Sequence, residues 1–230
     1  MIIGNGLIAN GFRPYEGIDT FLIFASGVSH SKSCTPHNFR REQELLMAAI
    51  EANPSKKLVY FSTTSINDPD LRETPYVIHK LEMEGLVRTH AAQWQVFRLS
   101  NAAGTSDNPT TVLNFLYHNI RFGHHFQLWK YSERNIIDVA DVYHVCDHIL
   151  QNGLYANAVV NIANPSNYPV SYIVRCIENF TRTQALYEEI AKGSSFGIDV
   201  ADVFPLYDEL HIGFGENYLP NLLHKYYSRP

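Results

Sequence analysis

Hydrophobic residues along the chain alternate between short, nearly continuous runs and longer stretches in which they recur with helical spacing. The short runs are rich in β-branched and aromatic residues, as buried strands are, and they lie at residues 1–3, 20–25, 57–61, 94–99, 136–137 and 158–162. Helical spacing covers residues 36–52, 75–89, 139–150 and 171–180, and another helix is predicted to open at Asn108-Pro109. This alternation predicts an α/β fold with a Rossmann-like, doubly wound parallel sheet.

Composition narrows the classes of function. The chain has 230 residues, 45% of them hydrophobic, and a formal net charge of −5. Nucleic-acid binding needs clustered Lys and Arg, and this chain has no such cluster. No apolar run reaches the roughly 18 residues of a membrane span. The amino-terminal residues do not resemble a secretory signal, so we expect a cytoplasmic protein.

Cysteine and histidine spacing indicates neither a disulfide framework nor a metal site. Cys34, Cys146 and Cys176 lie far apart, are odd in number and include no C-x-x-C pair. The adjacent His124 and His125 lack the spacing and the third ligand of a zinc site. We therefore predict reduced thiols and no metal.

The first strand runs into the glycine pattern Gly4-x-Gly6-x-x-Ala9. Such a turn lets backbone N–H groups approach a pyrophosphate, although an ordinary glycine-rich turn has the same appearance. A dinucleotide fold also has a second strand that ends in an acid about 20 residues on. Here the next strand follows too soon, and Asp19 stands at its start. We expect the adenosine-binding half of the sheet to be reduced.

Tyr76 and Lys80 share one face of a predicted helix, since four residues separate them. The preceding strand ends in the hydroxyl-rich segment 62–65, at the edge where parallel sheets bind ligands. A Lys cation favours the phenolate of a neighbouring Tyr, so this pair can transfer a proton. A solvated surface pair would have the same spacing, and the order of the motifs is therefore the stronger signal.

Four segments in this order resemble the extended short-chain dehydrogenase/reductases, the group that acts on nucleotide-linked sugars. They are Phe61-Ser62-Thr63-Thr64-Ser65-Ile66, the helix that carries Tyr76 and Lys80, Arg98-Leu99-Ser100-Asn101-Ala102-Ala103-Gly104, and Arg134-Asn135-Ile136-Ile137-Asp138-Val139-Ala140-Asp141-Val142. Departures are the missing adenosine region, a short interval between Thr63 and Tyr76, Asn67 where Tyr is common, and Asp138 where His is common.

The resemblance implies NAD(P)-dependent reduction or epimerisation of a nucleotide-linked sugar. Its catalytic set would be Thr63, Tyr76 and Lys80. Its cofactor-binding residues would be Gly4, Gly6, Leu7, Ile8, Ala9, Ala25, Ser26, Gly27, Phe61, Ser62, Tyr76 and Lys80. Its substrate-binding residues would be Thr64, Ser65, Asn101 and Arg134, and the alternative for Arg134 is a solvated turn charge.

The resemblance also implies an organisation and a partner. Residues 1–165 would form the Rossmann-like core with substrate-facing insertions, and residues 166–230 a small C-terminal region that completes the substrate cleft. A homodimer would pack helices 36–52 and 75–89 against those of its mate. The alternative is a non-catalytic sugar-nucleotide-binding or scaffold protein with a degenerate dinucleotide site, and the short amino-terminal region favours it.

Overall fold

A computed structural model describes residues 1–28 and 35–228 of the chain. The strands are β1 (Ile2–Ile3), β2 (Phe21–Phe24), β3 (Lys57–Thr63), β4 (Trp94–Leu99), β5 (Asn101–Ala103), β6 (Phe126–Trp129), β7 (Glu133–Arg134), β8 (Ile136–Asp138), β9 (Ala158–Ile162), β10 (Tyr168–Pro169) and β11 (Tyr187–Ile190). The α-helices are α1 (Leu7–Gly11), α2 (Pro36–Ala52), α3 (Pro75–His90), α4 (Val112–Arg121), α5 (Val139–Gln151), α6 (Val170–Thr181), α7 (Phe204–Glu209) and α8 (Tyr218–Tyr227).

The main sheet confirms the predicted α/β class. Its five strands are parallel and follow the order β1-β2-β3-β4-β9. Parallel pairing brings the carboxyl ends of all five strands to one edge, which is where such sheets bind ligands. Within the described ranges β1 pairs only with β2, so β1 forms one border of the sheet.

The two helices that position the site begin at threonine caps. The Thr35 side chain accepts a hydrogen bond from the Asn38 N–H at the start of α2, and Thr74 does the same for Val77 in α3. Each threonine is followed by a proline, which is preorganised for a first helical turn. The predicted bounds of both helices are confirmed to within one residue.

The predicted start of the fourth helix was wrong. Asn108 and Pro109 precede α4, which begins at Val112. The Asn108 side chain instead accepts hydrogen bonds from the Thr110 N–H and hydroxyl, at 3.0 and 2.6 Å. Asn and Asp stabilise turns through such local bonds, and this turn competes with an earlier helix start.

Three apolar clusters form the core. One covers the sheet face beneath α5 and α7, and a second fills the other face beneath α2 and α3. The third joins α4, α6, α8 and β6 beside the main sheet. Burial on both faces explains why all four residues of β2 are apolar.

The C-terminal helix α8 is tied to the core through Asp138. This carboxylate accepts hydrogen bonds from Lys225 Nζ at 2.6 Å and from the Tyr226 hydroxyl at 2.5 Å. Tyr218 adds a bond to the Asp141 carboxylate at 2.6 Å. Asp138, which replaces the expected histidine, therefore anchors α8. The predicted boundary near residue 165 stays a prediction.

Two further predictions concern the cysteines and membranes. Cys146 and Cys176 are free thiols, and Cys34 lies outside the described residues. In residues 1–28 and 35–228, every helix is too short or too polar to cross a lipid bilayer.

Candidate active site

The glycine turn lies directly against the end of β2. Gly4 has φ +130°, and a Cβ at this position would lie 2.4 Å from the Ala25 carbonyl oxygen. Only glycine permits this approach. The turn and the Ala25–Ser26 strand end are thereby brought together, as the sequence predicted for a cofactor site.

The other predicted residues of this turn point in different directions. Gly6 is exposed and has open space around its Cβ position, so its backbone is accessible to a ligand. Ala9 is 3% exposed, and Ile8 packs against the large core cluster. The side chains of Ala9 and Ile8 therefore pack in the core and are not available to a ligand.

Leu7 and Asn101 line one small cleft with a cavity volume of about 10 Å³. Its walls continue through residues 102–104, Ser106 and residues 111–114, and Tyr227 of α8 closes one side. The Asn101 amide donates to the Asn135 carbonyl oxygen at 2.7 Å. This cleft joins a predicted cofactor residue to a predicted substrate residue, and α8 contributes to its wall.

Lys80 lies in a buried cluster that the sequence analysis missed. Its amine donates to Glu42 Oε1 at 3.1 Å and to the Tyr60 hydroxyl at 2.9 Å. His79 Nε2 lies 3.1 Å from Glu42 Oε2. Glu42 and Tyr60 are 0% exposed, His79 is 2% and Lys80 is 3% exposed. We call these four residues the Glu42 cluster.

Ionisation in the Glu42 cluster follows from its hydrogen bonds. Burial raises the pKa of Glu42, but hydrogen bonding from His79, the charge of Lys80 and bonds from the Val28 N–H and Tyr60 lower the pKa to about 2. Burial and the Glu42 charge raise the pKa of Tyr60 well above its usual value. Glu42 is therefore a carboxylate, and Tyr60 a protonated donor to it.

Gly27 places this cluster beside the predicted cofactor strand end. A Cβ at Gly27 would lie 2.4 Å from Lys80 Nζ and 3.1 Å from Glu42 Oε1. The Val28 N–H also donates to Glu42 Oε2 at 2.6 Å. The amine of Lys80 is therefore held directly beneath Gly27, and any side chain at residue 27 would displace it.

Tyr76 lies one helical turn before Lys80 on α3 and is half-buried. The Tyr76 hydroxyl is close enough to contribute electrostatically to the raised pKa of Tyr60. Tyr76, Tyr60 and Lys80 thus share one region between α3 and β3. The convergence of Thr63 with them stays a prediction.

The hydroxyl-rich end of β3 is internally bonded. Thr63 Oγ1 accepts from the Ser65 N–H at 3.1 Å, and Thr64 Oγ1 donates to the Leu99 carbonyl at 3.4 Å. Thr63 and Thr64 are 7% and 4% exposed, whereas Ser65 is half-buried. Ser65 is the most accessible hydroxyl of the three.

Two predicted cofactor residues of β3 use their side chains elsewhere. The Ser62 hydroxyl donates to Glu84 Oε1 at 2.6 Å, and Arg98 binds the same carboxylate through Nε and Nη2 at 2.8 and 2.7 Å. The ring of Phe61 packs 4.9 Å from that of Phe12 in the large core cluster. A ligand would therefore meet their backbone.

Arg134 faces the loop that follows β3. Its charge acts on Asp68, a carboxyl that is 4% exposed. Burial raises the pKa of Asp68 above its usual value, although the Asp70 N–H bond and the charge of Arg134 act in the opposite direction. The guanidinium also donates to the Glu133 carbonyl oxygen at 2.7 Å. Asp68 was missed because a turn acid carries no sequence signal of burial.

The residues around the glycine turn fit one half of a dinucleotide better than the other. The open space at Gly6 and the strand end at Ala25–Gly27 suit a pyrophosphate and the group beyond it. Across the described residues, no strand lies outside β1 to carry an acid for the adenosine ribose. In residues 1–28 and 35–228 the backbone at Gly6 is thus open to a pyrophosphate, and no acid stands on a strand beyond β1 for the adenosine ribose.

Comparisons with known proteins agree with this fold. The family model described as NAD dependent epimerase/dehydratase family matches residues 17–163, which is more than half of the chain and begins after the glycine turn. No curated protein sequence matches the chain at a significant level.

Solved structures show the same architecture. The RMD protein from Pseudomonas aeruginosa, complexed with NADPH, has a TM-score of 0.68 at 17% identity, with 92% of this chain and 82% of that chain covered. UDP-glucose 4-epimerase from Thermus thermophilus, complexed with NAD, has a TM-score of 0.70 at 14% identity, with 94% and 81% covered. TunA, an NAD-dependent NDP-hexosamine 5,6-dehydratase involved in tunicamycin biosynthesis, has a TM-score of 0.69 at 15% identity, with 92% of this chain and 78% of that chain covered.

The approach of Gly27 to Lys80 gives a testable stability difference. Gly27→Ala should lower the free energy of unfolding by about 1–3 kcal/mol, because the methyl group overlaps an amine and a carboxylate that hydrogen bonds hold in place. Urea denaturation measures the change.

Gly85→Ala is the matched control for this substitution. Gly85 lies within α3, and its Cβ position has no neighbour within 4 Å. Alanine there should raise stability by up to about 1 kcal/mol, because it is the better helix former. Equal responses of the two variants would show that the Gly27 contact is not tight.

Proposed function

The chain belongs to the NAD-dependent epimerase/dehydratase family, and we propose that it reduces or epimerises a nucleotide-linked sugar with NAD or NADP. The observation that carries this proposal is the placement of Tyr76 and Lys80 on one face of α3, with the Lys80 amine beneath Gly27 at the ligand-binding edge of the sheet. A tyrosine and a lysine at this edge are the proton-transfer groups that a hydride-transfer reaction requires from the protein.

The cofactor and three side chains would each have a separate role in the reaction. The nicotinamide supplies or accepts the hydride. Tyr76 gives a proton to the substrate oxygen as a carbonyl is reduced, and takes it back as an alcohol is oxidised. Lys80 supports the phenolate of Tyr76 by its charge. Thr63 orients the substrate oxygen from the end of β3.

Cofactor contacts would come mainly from the backbone. Gly4 lies directly against Ala25 at the end of β2, and the open space at Gly6 is where a pyrophosphate would approach the backbone. The two similar structures with NAD or NADPH bound support a dinucleotide here. Because β1 borders the sheet, the adenosine group would rest on fewer protein contacts than is usual.

Substrate contacts would come from the cleft and from the loop after β3. Asn101 lines the cleft, and Arg134 offers a charge that suits a diphosphate. Thr64 and Ser65 directly follow β3 and would add hydroxyl groups. The MoeE5 structure with UDP-glucose and NAD, at a TM-score of 0.69 and 19% identity, covering 88% of this chain and 76% of that one, supports a nucleotide-sugar ligand. Residues 166–230 would complete this cleft, since Tyr227 forms part of its wall.

A second candidate is a non-catalytic protein that binds a sugar nucleotide. One observation favours it: among the described strands β1 forms the border of the sheet, at the place where a dinucleotide fold continues into its adenosine-binding strands. The site residues would then hold a sugar nucleotide without hydride transfer.

We further propose that the protein forms a homodimer through α2 and α3. These helices pack side by side on one face of the sheet, and Ile78 and Leu81 of α3 are 48% and 40% exposed. A twofold axis beside α3 would bury both side chains in an isologous interface.

Removal of the Tyr76 hydroxyl tests the catalytic proposal. Tyr76→Phe should lower kcat by about 10²–10⁴-fold, because the proton-transfer group is lost while the ring remains. The measurement is hydride transfer with a panel of UDP- and dTDP-sugars. Tyr187→Phe, on β11 and 41% exposed, is the control and should keep its rate. Full activity in Tyr76→Phe would remove Tyr76 from the mechanism.

Ligand-induced thermal shifts separate the two candidate functions. Binding to the folded state raises the unfolding midpoint by mass action. The enzyme should respond to NAD(H) or NADP(H) and to a UDP- or dTDP-sugar. A response to sugar nucleotides alone would favour the non-catalytic binding protein.

Light scattering tests the dimer. The unaltered protein should have twice the mass of the chain, and Leu81→Glu should be monomeric because a charge would enter the apolar interface. Leu186→Glu, at a 51% exposed position away from α2 and α3, should stay dimeric. A monomeric unaltered protein at working concentration would exclude the interface.

A further inference from the structure

The amine of Lys80 is surrounded by groups from four elements. Glu42 approaches from α2, Tyr60 from β3, and the backbone of Gly27 from the end of β2. On its own helix, Tyr76 lies one turn before it, and His79 is bonded to the far oxygen of Glu42. The distance from Lys80 Nζ to the centroid of the Tyr60 ring is 5.0 Å. Water has little access, since Lys80 is 3% exposed.

A buried ammonium of this kind depends on a counterion. Burial disfavours the charged form of a lysine, and a lysine without a partner in such surroundings releases its proton. Tyr60 cannot supply the negative charge, because burial and the Glu42 carboxylate raise the pKa of Tyr60 well above its usual value. Among the described residues, Glu42 is the carboxylate that contacts Lys80.

Glu42 is built to remain charged. Its Oε1 accepts from Tyr60 and Lys80, and its Oε2 accepts from the Val28 N–H and His79. Four donors compensate a carboxylate that is 0% exposed. Because the carboxylate is an acceptor, Nε2 of His79 is the donor in this bond. The His79 Nδ1 is buried without a hydrogen-bond partner.

We propose that Glu42 is a positioning residue that keeps Lys80 charged and fixes its amine beneath Gly27, so that Tyr76 retains a cationic neighbour. The inference rests on the proposed function, in which Tyr76 transfers the proton. Glu42 itself touches neither substrate nor cofactor, and it acts through Lys80. The residue sits on the inner face of α2, whose other inward residues, Leu46, Ala49 and Ile50, are apolar.

Loss of the Glu42 charge has a defined consequence for the reaction. The Lys80 amine would release its proton more readily in its buried surroundings. Tyr76 would then lose the cation that favours its phenolate. The pH above which Tyr76 acts as a base would rise, and activity at neutral pH in the direction of alcohol oxidation would fall.

The decisive measurement is the titration of Lys80 in the ligand-free protein. Lysine is labelled with ¹³C, and the NMR signal of Lys80 is assigned by its disappearance in Lys80→Arg. In Glu42→Gln the Lys80 signal should titrate at a pH lower by about one unit or more than in the unaltered protein. Glu42→Asp retains the charge at a greater distance and should show a smaller shift in the same direction.

Glu84→Gln is the matched control. Glu84 is equally buried at 0% exposure and is also ion-paired, but its partners are Arg98 and Ser62. Glu84 lies one helical turn after Lys80 and its charge also acts on Tyr60, but it does not contact the amine. Its loss should reduce stability and move the Lys80 titration by clearly less than the loss of Glu42 does. If Glu42→Gln does not fold, Glu42→Asp decides the question. An unchanged Lys80 titration in the folded Glu42 variants, or a shift to higher pH, would overturn the proposal.

The pH profile of kcat gives the second readout. In Glu42→Gln the limb that belongs to Tyr76 should move to higher pH by about one unit, and in Glu84→Gln it should move by clearly less, because Glu84 does not contact the Lys80 amine. The two proposals fail separately. If the unaltered protein shows no turnover, the proposed catalytic function is wrong, and the NMR titration still tests the role of Glu42. Normal turnover with an unmoved Lys80 titration sinks only the role of Glu42.

Discussion

Two buried carboxylates, Glu42 and Glu84, constrain the layer between the sheet and helices α2 and α3. A buried ionised carboxylate is tolerated only when charged or polar donors compensate it. Lys80, His79 and Tyr60 do this for Glu42, and Arg98 and Ser62 do it for Glu84. The inner face of α3 is therefore fixed in register against β3 and β4. That register sets where Tyr76 stands at the end of the sheet.

Regular elements followed from the sequence where local signals agreed. Threonine caps, a following proline and helical spacing defined α2 and α3, and a continuous apolar run defined β2. The order of the sheet agrees with the expected loss of an adenosine-binding half. The start of α4 was misplaced because an asparagine turn, which depends on local hydrogen bonds, competes with the helix.

The short strands and the buried charged residues could not be predicted from the sequence. The strands β6 and β11 pair in parallel across a long separation in the chain, so neither carries a local signal of its partner. Glu42 was the one position with a usable clue, an acid on the apolar face of α2. Its partners on β3 and α3 could be identified only from coordinates. The assignments of Ser62 and Phe61 to the cofactor came from motif order, which does not show where side chains point.

The close approach of Gly27 to the Lys80 amine links two distant positions of the chain. Natural variation at these positions should therefore be correlated. Relatives that keep a lysine at the second position should keep glycine at the first, whereas relatives with a bulkier residue at the first should have a shorter or uncharged residue at the second. Relatives that keep the lysine should also keep a glutamate at position 42. The residues at positions 27, 42 and 80 of a relative would therefore indicate whether it retains this arrangement.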